Sequence, residues 1–135
     1  MPFIPDVNDN IQADFSFTQK PGYSHRLDFK NKCIVGYLDG LEAYRQAVFM
    51  ILNSERTQYE IYSWNFGIEA KRLQGRPVEL VEAWGERAIT DALMQDDRTV
   101  FVGDFKWTHS KSKSHVLFTA ECAEGEIETG WDFRV

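Results

Sequence analysis

Cysteine is nearly absent from this chain of 135 residues: Cys33 and Cys122 are too few and too far apart for a disulfide framework, and they suggest reduced, buried thiols. No close ligand pair of the C-x-x-C or H-x-x-x-H kind links them to His25, His109 or His115, so no metal centre is expected. There is no G-x-S-x-G step and no glycine-rich phosphate loop. No cofactor is implied. Nothing approaches the run of ~18 apolar residues that a membrane span needs. The opening "MPFIPDVNDN" lacks the basic and apolar regions of a signal peptide, so synthesis and folding in a cytoplasm are expected. Positive charge is also scarce. Fifteen Lys and Arg face 21 Asp and Glu, a formal charge of −6, which argues against a general nucleic-acid binder.

What remains has the composition of one folded domain. Hydrophobic residues make up 43% and aromatics 14%, enough for a core in a chain of this length. Residues 1–22 read as an N-terminal arm. Pro2, Pro5, Pro21 and Gly22 punctuate it, yet Phe3, Ile4, Val7, Ile11, Phe15 and Phe17 supply apolar anchors for docking on its own domain or on a neighbour.

Residues 23–135 read as a single α+β domain, with two main helices on a mainly antiparallel sheet that ends in a β-meander. Two short strands flank a turn at Lys30 to Lys32. Asp39 followed by Glu42 has capping-box spacing, and Leu41, Tyr44, Val48 and Ile51 place a buried stripe on a helix over 40–53. "TQYEIYSWNFG" alternates like a strand and ends at Gly67, and "IEAKRLQGRP" reads as a short helical turn or loop. A second helix is expected from Pro77 to Gln95, with Val81, Trp84, Ala88, Ile89, Ala92 and Leu93 inward. Alternation then marks three strands: Phe105, Trp107 and His109; Val116, Phe118, Ala120 and Cys122; and Ile127, Thr129, Trp131, Phe133 and Val135. The last strand runs to the final residue, where a bare edge invites pairing with another chain.

Between the second helix and the meander lies "QDDR", residues 95–98. Its carboxylates read as catalytic acids, as a salt-bridged corner, or as a docking point. Glycoside hydrolysis needs one carboxyl kept protonated, and Arg98 favours the ionised forms of Asp96 and Asp97. Acids at the negative end of a helix call for a cationic partner, either Arg98 or an arginine from another chain.

Residues 36–69, "GYLDGLEAYRQAVFMILNSERTQYEIYSWNFGIE", resemble the signature of a family of small tail proteins from contractile-tailed prophages of Gram-positive bacteria. "LNSER" (52–56), "YSWNFG" (62–67) and "AITDALMQDDR" (88–98) carry the likeness, which extends over roughly residues 24–135. The family is similar in turn to the baseplate wedge protein of large coliphages once labelled a tail lysozyme, and to the small baseplate subunit of type VI secretion systems. The resemblance implies a non-enzymatic wedge component that initiates the contractile sheath, present in six copies in a tail baseplate assembled in the host cytoplasm. Its partners would be tail sheath protein and other wedge proteins, with tube or hub proteins as further contacts, and neither nucleic acid nor membrane. The wider group carries Glu-Pro-Arg at the helix-to-strand corner, and Asp96, Asp97 and Arg98 stand in those places. Partner contacts are therefore expected at Asp96, Asp97 and Arg98 and along the last strand at Ile127, Thr129, Trp131, Phe133 and Val135. The alternative function is a peptidoglycan-cleaving, muramidase-like tail enzyme.

Overall fold

A computed structural model describes residues 22–134. The expected arm, Gly22 apart, and Val135 lie outside them. Elements follow in the order β1 (Ser24–Asp28), β2 (Cys33–Leu38), α1 (Gly40–Leu52), a 3-10 turn (Lys71–Leu73), α2 (Val78–Met94), β3 (Thr99–His109), β4 (Lys113–Cys122) and β5 (Gly125–Arg134). The fold is α+β, with all strand pairing inside the two sheets antiparallel.

β1 and β2 form a two-stranded hairpin. Its turn is closed by Asp28, whose carboxylate accepts from the backbone N–H groups of Lys30 and Asn31 and from the Asn31 amide. α1 begins where Asp39 accepts from the Gly40 N–H at 2.8 Å. The expected capping box does not close, because Glu42 turns to Arg26 of β1 at 3.3 Å. Tyr44, Val48, Ile51 and Leu52 face inward as their spacing requires.

The meander has strand order β3-β4-β5. In β4 one face carries Ser114, Val116, Phe118, Ala120 and Cys122, all buried, which is the period-2 signature of a sheet packed on one side. In β3 the register shifts between Gly103 and Lys106, and Asp104 takes a positive φ of 57°. That bulge re-aims Phe105 and Trp107 onto the core. α1, α2 and the inner sheet face share one core, in which Tyr44, Val81, Ile89, Leu93, Phe118 and Ile127 are almost wholly buried.

Three further sequence expectations are corrected. Residues 57–67 are not a strand. Their backbone is spent on local turns, Tyr62 N–H to Tyr59 C=O and Phe66 N–H to Ser63 C=O, which leaves no ladder to extend. The loop is pinched at its base by a parallel bridge at Ile68, with Arg56 N–H to Ile68 C=O at 3.0 Å and Ile68 N–H to Ser54 C=O at 2.9 Å. Trp84 is not in the core but 41% exposed, since Gly85 beside it takes the inward position against Trp107. Cys33 is exposed on the hairpin, while Cys122 is buried as expected.

Candidate functional site

At the end of α2 the chain turns through Asp96, Asp97 and Arg98 into β3. Asp96 N–H caps the helix on the Leu93 carbonyl, and Thr99 N–H returns to the Asp96 carbonyl at 3.2 Å. The Asp96 carboxylate accepts the Arg98 backbone N–H at 2.9 Å, Arg98 Nε at 3.0 Å and Arg98 Nη2 at 2.8 Å. Both side chains are mostly covered, 12% and 18% exposed. The guanidinium lies 5.7 Å from the Tyr44 ring centroid, and Tyr44 Oη is hydrogen-bonded to Thr99 Oγ1 at 2.8 Å. The corner therefore ties α1, α2 and β3 together.

The electrostatics follow from this geometry. Burial pushes the Asp96 carboxyl up, but the hydrogen bonds and charge of Arg98 outweigh it and leave the group below the usual aspartate range. The Asp96 hydrogen bond raises the Arg98 guanidinium against the opposing effect of burial. Burial raises the Tyr44 phenol, with Asp96 adding in the same direction and the Thr99 bond opposing. A general acid must carry a proton at working pH, and Asp96 is held in the wrong form for that role. Ser114, His109 and Glu82 stand in a file of residue types known from hydrolase triads, with His109 Nδ1 2.9 Å from Ser114 Oγ and Nε2 2.8 Å from Glu82 Oε1. Ser114 is fully buried, however, so its hydroxyl meets no substrate, and the file serves to fasten β3 and β4 to α2.

Beside the corner opens a cleft of about 560 Å³. One wall is Gln95, Asp96, Asp97 and Arg98; the other is Ser63, Asn65, Phe66 and Gly67. Two of the three stretches that carry the family resemblance, some thirty residues apart in the chain, thus face each other across one space. Gly67 makes the approach feasible: its φ is +100°, and a Cβ there would lie 2.5 Å from the Ser54 carbonyl oxygen. At the tip of the same loop, Ile61 and Trp64 are each 85% exposed. Sequence reading missed them as surface anchors because it placed them in a strand. The available signal was the density of aromatics, Tyr59, Tyr62, Trp64 and Phe66, just before a glycine.

The strand residues are distributed differently. Ile127, Trp131 and Phe133 are buried in the core and Thr129 is half-buried, so their side chains point away from solvent. What β5 presents outward is Glu126, Glu128, Asp132 and Arg134 and the backbone of its outer edge, on which no strand pairs among the described residues. The hairpin is the more exposed surface, with Ile34, Val35 and Tyr37 all more than half accessible. Among the described residues no cluster of His, Cys, Asp and Glu is arranged to hold a metal, and no helix is long and apolar enough to cross a membrane.

The described residues thus form an α+β body with unpaired strand edges, a clamped ionic corner and an aromatic loop beside it. Residues 11–125 match the family model of the contractile injection system sheath initiator, and the chain belongs to that family. It is also 37% identical over 134 residues to the phage-like element PBSX protein XkdS of Bacillus subtilis (strain 168), a match covering 95% of this chain and 94% of that protein.

Proposed function

We propose that this protein initiates the sheath of a contractile phage tail or tail-like particle from within the baseplate. The cleft at residues 95–98 docks on other wedge proteins, and free strand edges pair with tail sheath subunits. The observation that carries the docking half is the convergence of the Asp96–Arg98 corner and the Ser63–Gly67 loop on one cleft. Because Asp96 and Arg98 already satisfy one another, the corner acts as a rigid rim, and the exposed Trp64 and Ile61 supply the apolar anchors that dominate interfaces.

The sheath half rests on strand addition, in which main-chain hydrogen bonds give affinity with few side-chain requirements. The outer edges of β3 and β5 and the β1–β2 hairpin are the candidates. Main-chain pairing suits a sheath that slides and tilts on contraction, since it does not depend on close side-chain packing. Six copies around the tail would come from the symmetry of the particle.

The test is an affinity pull-down from cells assembling the particle, with the tag inserted in the exposed turn at residues 110–112. Co-purification of sheath and wedge proteins is the expected result. Recovery of the chain alone would sink the reading, and peptidoglycan cleavage would then be the activity to assay.

A further inference from the structure

One turn of α2 back from the first cleft lies a second of about 530 Å³, lined by Arg72, Arg76, Arg87, Trp84, Glu69 and Asp91, among others. On a chain of net charge −6 it gathers three guanidiniums against two carboxylates. Arg72 pairs with Glu69 at 3.3 Å and Arg87 with Asp91 at 3.9 Å, while the Arg76 guanidinium sits 5.5 Å from the Trp84 ring centroid. Trp84 occupies a position whose helical spacing marks it for burial, yet 41% of it is open, and Leu80 one turn earlier is 39% exposed. An accessible Trp framed by Arg is the composition of a binding hot spot rather than of a solvated helix face.

We infer that this Arg–Trp cleft is the docking site for the chain's own N-terminal segment, residues 1–19, bound in cis. Charge complementarity is the first argument: the segment carries Asp6, Asp9 and Asp14 and no Lys or Arg. Its apolar residues, Phe15 and Phe17 among them, match the uncovered Trp84 and Leu80. Reach is the second. Gly22 lines the first cleft, whose Ala92 is about 6 Å along α2 from Ala88 of the second. Twenty-one residues before Gly22 span up to about 70 Å when extended, against about 25 Å for the whole of α2. Tethering also raises the local concentration of the segment to the millimolar range, so weak contacts suffice. The inference stands on charge and reach, independently of the wedge-docking reading.

The test uses the full chain with Phe15 replaced by the photo-crosslinker p-benzoylphenylalanine. After irradiation, crosslinked peptides are mapped by mass spectrometry, with monomer and dimer bands separated. Crosslinks into residues 69–91 within the monomer are expected. Their yield should fall about five-fold in the R76E/R87E variant and recover when D9R/D14R is added. Trp84→Ala should lower the yield without altering charge. Crosslinks to another face, crosslinks confined to the dimer, no crosslinks, or a yield indifferent to the charge reversal would each overturn the assignment.

Discussion

Asp96 and Arg98, two residues apart, are joined by three hydrogen bonds that all end on one carboxylate. The pair answers the electrostatic problem posed by an acid at the negative end of α2 without any second chain. Its contribution to the docking proposed above would therefore be shape and stiffness: it holds the rim of the cleft against Tyr44 and Thr99, doing by hydrogen bonding what a proline in that corner does by fixing φ.

Replacing Arg98 with alanine takes the guanidinium from a largely buried Asp96 carboxylate and leaves it the backbone N–H of residue 98. We expect a folded protein destabilised by about 1–3 kcal/mol, read by urea denaturation, and loss of wedge proteins from the pull-down. Arg98→Lys keeps the charge but not the fork geometry and should recover only part of the stability. Normal incorporation of the alanine variant would refute the docking corner.

Trp64→Ala separates docking from folding. With 85% of the residue exposed, its removal should change stability by less than about 0.5 kcal/mol. Wedge co-purification should nevertheless fall sharply. Unchanged recovery would remove the aromatic loop from the interface.

The depressed Asp96 carboxyl makes a pH prediction. A group whose folded-state pKa lies below its unfolded value, about 3.9 for aspartate, stabilises the fold above that value. The contribution is lost as pH falls through the folded pKa. Denaturation midpoints measured from pH 6 down to pH 2 should therefore drop less steeply for Asp96→Asn than for the parent. On the alkaline side the raised Tyr44 phenol stabilises fully below its unfolded value of about 10, and the contribution is lost as pH rises from there through the folded-state value, a loss that Tyr44→Phe should abolish.

At Gly67 an alanine meets both a left-handed φ and the Ser54 carbonyl. The base of the 55–68 loop should open at a cost of about 1–3 kcal/mol, with faster amide exchange at Arg56 and Ile68, whose N–H groups donate to the Ile68 and Ser54 carbonyls and close it. Exchange rates like those of the parent would mean that the loop tolerates the side chain.

For the strand edges, truncation before Glu126 is a poor probe, because it strips Ile127, Trp131 and Phe133 from the core and should abolish cooperative unfolding. A cleaner variant is Val35→Lys with Tyr37→Lys on the exposed hairpin. Charged edges resist strand addition, so sheath recovery should fall sharply, with only a small loss of thermal stability from the stacking of Tyr37 on Tyr23 and His25. Unchanged sheath recovery would leave the pairing to the outer edges of β3 and β5.

The legible parts of this fold were those where side-chain period and local capping agree. Tyr44, Val48 and Ile51 recur at helical spacing behind Asp39, and α1 follows; β4 and β5 alternate without interruption, and the meander follows. The 57–67 stretch defeated the same reasoning. Its alternation of Tyr59, Ile61 and Ser63 imitates a strand, but its peptide groups close i to i+3 turns, which periodicity does not register. Trp84 misled because a glycine next to it, not the Trp, makes the close approach to Trp107.

The chemistry of "QDDR" is local, so two adjacent acids beside an arginine favour ionised carboxylates, whereas the choice of Asp96 as the partner of Arg98 is made by the fold. That this pair forms the rim of a cleft, that Phe66 and Gly67 form the opposite wall, and that Ile127, Trp131 and Phe133 turn inward depend on contacts between residues far apart in the chain. Sequence order carries the period of each element; only packing the helices on one face of the sheet decides which surfaces remain to meet another protein.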